Sequence, residues 1–423
     1  MKRTVFFKVL GLGALFFLVG LVVFATGTKE STGTAAAKQN VTLEFWSWNN
    51  EGAYPAVHED AQKRFEKDHP NVTIKREYIS YADYLVKLKA VLAGGEAPDM
   101  FQIPWSGEYT ELARSGKIVD LTEYLKKGFP DFFPNIMKAI SVDGKSWSVP
   151  LDLNTLQIAY NKTMFAQMGI SVPKTRDELV ALSKKLADKG KFGVALGTKD
   201  LWAGADVFFA QVAYTDPTHT KMAQADTGKI SWDSPEFQKA AQIVADYQKQ
   251  GVIAPGANSM DAFVGAENLF VQQQAAMFYP VGNFVTGGIT TAVGQNFEWS
   301  LFPWPPLVAG DTALPTGGVA EMFVVSKDSK NLDTALEFLR YMTNDAGKEA
   351  LVKNDFIPSS TYKGTTSMTD LYKNMLDAQS KSQSRVVYNT VVYTAIMNGM
   401  QGIYGGTLEP AAFIDSLVKA AKQ

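Results

Sequence analysis

The chain runs to 423 residues, 46% hydrophobic and 20% charged, with a formal net charge of -2. That length allows two domains with separate cores, and the near-neutral balance offers no electrostatic attraction for nucleic acid or an anionic membrane. There is no cysteine, which excludes disulfides, thiolate metal sites and cysteine nucleophiles. The histidines are His58, His69 and His219; none has a second histidine at ligand spacing, so no metal and no cofactor is expected.

Lys2, Arg3 and Lys8 lead into an apolar run, Val9 to Phe24, and Val23 and Ala25 fit the small residues before a signal-peptidase cut. Residues 1–25 are therefore read as a signal segment cut after Ala25. The competing reading is an uncleaved anchor, for which the run is short against a span of ~20 residues. Residues 26–39 are small and polar and read as a flexible linker. The mature chain is expected to start near Asn40, outside the cytoplasm.

From Val41 onward strand and helix patterns alternate. "VTLEFWSW" (Val41 to Trp48) is the first strand; Val57, Ala61 and Phe65 then repeat at helical spacing up to "DHPN". "VTIKREYI" alternates with period two and puts Val72, Ile74 and Tyr78 on one face. A second helix carries Leu85, Leu88 and Leu92 and stops at Gly94. "PDMFQI" is a third strand. The β-α-β-α-β order predicts an α/β fold with parallel sheets flanked by helices. Thr175 and Glu178 form a capping box ahead of Leu179, Leu182 and Leu186. Ser234-Pro235 opens a helix with Phe237, Ala241 and Val244, closed by Gly251. "AEMFVVSK" is a late strand, followed by a helix with Leu332, Ala335, Leu336 and Leu339, and from about Met368 the pattern is almost wholly helical.

No P-loop, no G-x-G-x-x-G after a strand and no G-x-S-x-G elbow occurs. A polysaccharide-cleaving enzyme needs only two carboxylates, and Asp152 with Glu51 are the pair to nominate, but no spacing supports them.

Four stretches resemble the extracellular solute-binding proteins of ABC sugar importers. They are the strand ending "FWSW"; "AGGEAPDMFQIPW" with "YTELARSGKIVDLTEYL"; "GKSWSVPLDLNTLQIAYNKTMFAQMGISVPKTRDEL"; and "GGVAEMFVVSKDSKNLDTALEFLRYMTNDAGKEALVKNDFIPSS". The third is the most specific, with Gly144, Pro150, Tyr160-Asn161-Lys162, Phe165, Gly169, Pro173 and Thr175 in the family's order. Two departures stand out. "ATGTKE" has no lipobox cysteine, and Arg176 stands where the family often has Trp. The resemblance implies a two-lobe clamp, each lobe a mainly parallel sheet with helices, ligand between them. It divides the chain into residues 40–152 plus 322–365 and residues 153–321 plus 366–423. It further implies a monomeric, non-catalytic receptor whose partners are a carbohydrate and a membrane permease.

A sugar offers hydroxyls in fixed directions and weakly apolar C–H faces, so its site wants planar amides or carboxylates and flat aromatic rings. Trp48 at a strand end is expected to stack on ligand, with Trp46 in the core. Asn49, Asn50 and Glu51 follow it, either on ligand or capping a helix. Trp105 and Ser106 close the third strand. Asp152 and Asn154 alternate onto one face at the crossing between lobes, either in the cleft or bonding hinge backbone. Asp200 and Trp202 fall where relatives place second-lobe contacts. Asn283, Gly317 and Gly318 follow strand-like runs, where glycine lets backbone approach a ligand or simply turns. Tyr388 and Tyr393 come from the late helix, where aromatics at such spacing are usually core. Trp147, Trp232 and Trp299 are read as structural, and Trp304 is left open. These loops hold no arginine, which favours a neutral sugar over a phosphate ester; a polyamine would want more carboxylates.

Overall fold

The computed structural model describes residues 39–48, 53–384 and 389–423. The expected signal segment, most of the linker, Asn49, Asn50, Glu51 and Tyr388 lie outside the described residues. Among the described residues no helix is long and apolar enough to cross a membrane.

Among the described residues twelve strands follow in chain order: β1 Val41–Ser47, β2 Val72–Tyr78, β3 Met100–Gln102, β4 Val149–Pro150, β5 Asp152–Asn161, β6 Phe192–Leu196, β7 Ala275–Val281, β8 Trp299–Phe302, β9 Thr316–Val319, β10 Met322–Val325, β11 Ile357–Pro358 and β12 Gln383–Ser384. They form two sheets. The first has the order β2-β1-β3-β10-β4. In it β1 runs parallel to β2 and β3, while β10 is antiparallel to β3 and β4. Leu43 and Phe45 of β1 and Val72 and Ile74 of β2 are buried against the helix Tyr54–Asp68 through Val57, Ala61 and Phe65, so the expected periodicities do converge on one core.

The second sheet is built around the ten-residue β5. The α/β clamp architecture holds, but here the parallel arrangement expected from the sequence gives way. β5 is antiparallel to β7, β8, β9 and β11, and the parallel pairs are β6 with β7 and β9 with β12. Chain direction explains this. β5 begins two residues after β4 ends and carries the chain out of the first sheet, whereas β9 leads directly back into β10. A returning strand beside an outgoing one must run against it.

Local corrections are small. The second helix, Tyr81–Gly94, ends on Gly95 in the left-handed region rather than at Gly94, and it buries Tyr84, Leu88 and Leu92 while Leu85 is only half-buried. The Thr175 hydroxyl accepts from the Glu178 amide at 3.2 Å as expected, but the Glu178 carboxylate accepts from the Lys174 amide, one residue further back than a capping box requires. Trp304 proves to be core: it is 1% exposed and stacked on Tyr247 at 5.1 Å between centroids. Trp232 is equally buried, and Trp147 and Trp299 are half-buried.

Candidate functional site

The carboxyl ends of β1 and β3 and the strands crossing between the sheets bring most of the nominated residues into one region, as expected for an open α/β sheet. The end of β1 is fastened to β3. The Ser47 hydroxyl donates to Gln102 Oε1 at 2.6 Å and the Trp48 amide to the same oxygen at 3.2 Å. Trp48 itself is half-buried, its ring edge-on to Tyr84 at 5.1 Å and 71°. Tyr84 is held from behind by donating to the Gln102 carbonyl at 2.7 Å. Trp46 is buried, as expected for core.

Beyond β3, Trp105 lies against the backbone of β9. A Cβ placed on Gly318 would sit 2.3 Å from Trp105 Cζ3, and Gly318 has φ +151°, so only glycine lets ring and strand approach this closely. Gly318 pairs with Asn154 across β9 and β5; Trp105, Gly318 and Asn154 therefore form one contiguous group. Gly317 is equally crowded, its missing Cβ 2.7 Å from the Asn154 carbonyl oxygen and 2.8 Å from Ser382 Cβ. Ser106 is placed differently. It is buried, and its hydroxyl is engaged locally, 2.7 Å from Glu108 Oε2 and 3.2 Å from the Pro104 carbonyl.

Asp152 is fully buried and its carboxyl oxygens accept three hydrogen bonds. Tyr54 Oη and Asn283 Nδ2 both donate to its Oδ2 at 2.9 Å, and the Glu321 amide donates to Oδ1 at 3.0 Å. Asn283 Nδ2 also reaches the Leu153 carbonyl at 2.8 Å. The Glu321 carboxylate in turn lies 3.0 Å from His58 Nε2, and His58 Nδ1 lies 3.1 Å from the Tyr78 hydroxyl. Burial pushes the Asp152 carboxyl well above the usual carboxylate range, with the Glu321 charge adding to it and the three donors opposing. Asp152 thus ties the Tyr54–Asp68 helix, the β9–β10 turn and the helix Asn283–Val293 to one buried carboxyl group.

Asp200 and Trp202 form a separate group. Asp200 is exposed, its Oδ2 accepting from the Ala262 amide at 3.4 Å. Trp202, at the start of the helix Trp202–Thr215, leans on Phe263 at 5.8 Å, and Phe263 meets Phe284 edge-on at 5.6 Å. Phe284 follows Asn283 in the chain and touches all three apolar clusters, so this aromatic row leads back to the crossing. Tyr393 stacks on Phe209 at 6.3 Å, a packing role. Sequence reasoning missed Gln102, Phe263 and Phe284. Only Gln102 carried a signal, as the one polar residue of "MFQ" in a buried strand.

Four polar atoms in this region are buried without a hydrogen-bond partner: Gln102 Nε2, Trp105 Nε1, Asn154 Oδ1 and Asn283 Oδ1. Native interiors rarely leave such atoms unpaired. Among the described residues no group of histidine, aspartate and glutamate is placed to hold a metal.

A surface hydrogen bond links the late helix to the region after Trp105. The Thr390 hydroxyl, at the start of the helix Thr390–Tyr404, donates to Glu111 Oε1 at 3.0 Å, and Glu111 lies on the helix that follows Trp105. An exposed hydrogen bond contributes about 1 kcal/mol at most. Thr390→Val should therefore speed ligand release by up to about fivefold with little change in the apo thermal midpoint. An unchanged dissociation rate in stopped-flow fluorescence removes this contact from closure.

The model of the family described as bacterial extracellular solute-binding protein matches residues 47–349. The melibiose/raffinose/stachyose-binding protein of Bacillus subtilis is 23% identical over 359 residues, covering 82% of this chain and 80% of the relative. The multiple sugar-binding protein of Streptococcus mutans is 26% identical over 344 residues, with 78% and 77% covered. These relatives are named as binding proteins, not enzymes. The GacH receptor of Streptomyces glaucescens, solved unliganded and with acarbose, superposes with a TM-score of 0.77 at 21% identity over 90% of this chain and 98% of that one, which establishes the two-lobe clamp fold.

Proposed function

Because this chain belongs to the bacterial extracellular solute-binding protein family, we propose that it is an exported receptor that binds a carbohydrate between two lobes and delivers it to an ABC-type permease. The observation that carries the substrate class is the set of unpaired buried atoms on Trp105, Asn154 and Asn283. Trp105 Nε1 is a donor, whereas Asn154 Oδ1 and Asn283 Oδ1 are acceptors. A hydroxyl both donates and accepts, so a neutral polyol answers all three; an anion would meet the two acceptors, and a cation the indole donor. The buried Asp152 carboxyl is already saturated by three donors and so does not recruit a polyamine. The sugars in the relatives' names point the same way.

The lobes are assigned as residues 40–152 plus 322–365 and 153–321 plus 366–423. In support, β1 to β4 and β10 fall in the first and β5 to β9 and β12 in the second, while β11 of the first pairs with Leu153 and Asp152 at the crossing. Ligand favours the closed state through contacts it makes to both lobes at once. A micromolar affinity corresponds to about -8 kcal/mol, within reach of ring stacking and a few satisfied hydrogen bonds. The protein acts as a monomer and turns nothing over.

The test is a thermal-shift and tryptophan-fluorescence screen of residues 40–423 against glucose, maltose, melibiose, raffinose, stachyose, putrescine and glycerol phosphate. A sugar response supports the receptor, a response confined to the charged solutes overturns the substrate class, and release of reducing sugar from a bound oligosaccharide overturns the non-catalytic reading. In the same assay Trp48→Ala is expected to weaken sugar binding tenfold or more. Its edge contact with Tyr84 is worth only about 0.5–1.5 kcal/mol to the apo fold; a large apo destabilisation with unaltered affinity returns Trp48 to the core.

A further inference from the structure

We propose that His58, Glu321 and Asp152 form a proton-linked lock on the strands that pass between the two sheets: closing on ligand takes up a proton, and affinity falls as pH rises. This rests on the two-lobe reading above and adds to it a regulation by external pH.

The lock stands on how the chain passes from sheet to sheet. β4 hands over to β5 through Leu151, and β9 returns to β10 through Ala320 and Glu321. The two passages are stitched together. The Leu151 amide donates to the Glu321 carbonyl at 2.8 Å, the Ala320 amide to the Asp152 carbonyl at 3.1 Å, and the Glu321 amide to Asp152 Oδ1 at 3.0 Å. Just after β11, the Ser359 hydroxyl donates to the Leu151 carbonyl at 3.1 Å. A change in the angle between two lobes is absorbed at such element ends, so side chains buried against them feel it.

His58, Glu321 and Asp152 are buried at this place, each 0% exposed. His58 Nε2 lies 3.0 Å from Glu321 Oε2, and Nδ1 lies 3.1 Å from the Tyr78 hydroxyl, which accepts from Arg76 Nη1 at 3.0 Å. With Nε2 donating to the carboxylate, Nδ1 decides the charge of the ring. The imidazole is neutral when Nδ1 accepts from Tyr78 and charged when it donates there. Tyr78 is half-buried and gives protons a route in from solvent. Other titratable or charged groups facing the set are Tyr54 and Glu59 on its helix, Arg76 and Tyr78 on β2, and Tyr84. β1 and β10 meet the imidazole with the Phe45 and Phe323 rings, edge-on at 5.2 and 5.9 Å. Burial pushes all three tyrosine hydroxyls up, so none ionises near neutral pH.

The direction of the linkage follows from counting charge. With both carboxyls ionised and His58 neutral, the buried set carries -2, one from each carboxyl, and two bound protons bring it to zero. A low dielectric penalises the net charge, and closure strips further water from the passages. The closed form therefore holds these protons more tightly than the open one. Affinity is highest below the open-state pKa and falls as pH rises, until the closed form has lost the proton too.

The experiment titrates residues 40–423 with maltose, melibiose, raffinose, putrescine and glycerol phosphate by calorimetry between about pH 5 and pH 8. Each titration is run in two buffers of different ionisation enthalpy, which counts the protons exchanged. Wild type is expected to take up a fraction of a proton and to lose affinity by at least about threefold across that range. Asp152→Asn and Glu321→Gln each remove one ionisable carboxyl and keep an amide oxygen as acceptor. Each should take up less than about half as much, with a flatter affinity profile. Should one variant not fold, the other carries the test. A merely structural role would lower a variant's thermal midpoint and leave the proton count of the wild type, which overturns the proposal. So does proton release, or no exchange at all, in the wild type. If the wild type binds putrescine or glycerol phosphate and no sugar, the carbohydrate reading falls alone, and the lock is judged on the protons taken up with that solute.

Discussion

Asp152→Ala is expected to lower the unfolding free energy by about 2–4 kcal/mol, through the buried donors it leaves without an acceptor. The carboxyl is fully buried and receives Tyr54 Oη, Asn283 Nδ2 and the Glu321 amide. Alanine leaves the tyrosine hydroxyl and the Glu321 amide without acceptors and opens a small cavity beside them. Each orphaned buried donor costs about 1–3 kcal/mol, and because they share one acceptor their losses are not additive. Against a typical total stability of about 5–15 kcal/mol this is a large fraction. Urea unfolding followed by circular dichroism reads it as a lower midpoint at unchanged slope. A loss under about 1 kcal/mol would mean that water or His58 replaces the carboxyl and that Asp152 does not tie these elements together.

The same group gives a pH signature with a definite sign. An aspartate in an unfolded chain titrates near ~3.9, while burial first and the Glu321 charge second raise Asp152 well above that in the fold. A raised folded value means the native state binds this proton more tightly than the unfolded one. The contribution is therefore fully present below the unfolded pKa and declines as pH rises through the folded one. Asp152→Asn cannot titrate, and its amide oxygen still serves Tyr54 and Asn283 while its NH2 opposes the Glu321 amide. The stability gap between wild type and Asp152→Asn should thus be widest near pH 4 and narrow towards pH 8. A gap that is flat with pH would show the carboxyl equally ionised in both states.

Which parts of this could be read from the sequence follows from how local each one is. The first sheet is assembled from β1, β2 and β3 with helices between them, and each element announces itself by its own periodicity. The second sheet depends on direction: nothing within Asp152–Asn161 says that Val319 and Val281 will run against it. Trp304 sits in "PWPP", which reads as loop, and only its stacking on Tyr247, 57 residues earlier in the numbering of Trp304, makes it core. At the site, period-two alternation correctly sends Asp152 and Asn154 to one face. It cannot show that Asp152 is consumed by Tyr54 and Asn283 while Asn154 keeps a free oxygen. Phe263 and Phe284 escape for the same reason: each is an ordinary apolar residue until Trp202 is placed beside them.

Gly318→Ala is expected to abolish or weaken sugar binding by more than tenfold, an effect of at least about 1.4 kcal/mol, and to destabilise the apo protein as well. The added Cβ would stand 2.3 Å from Trp105 Cζ3 and 2.9 Å from Cε3, on a residue whose φ of +151° disfavours any side chain. Overpacking of this kind costs about 1–3 kcal/mol and the backbone conformation about 1–3 kcal/mol more. The structure can relieve the contact in two ways, and both damage the site. Either Trp105 swings off β9 and no longer presents its face and Nε1 where they lie now, or β9 shifts and carries the paired Asn154 with it. A double-mutant cycle with Trp105→Ala separates the two costs. Removing the ring should restore part of the stability lost by Gly318→Ala, with a coupling of about 0.5–3 kcal/mol, while binding stays lost because the ring itself is gone. Strictly additive stabilities, or wild-type affinity in Gly318→Ala, would mean that Trp105 and β9 do not meet when ligand is bound.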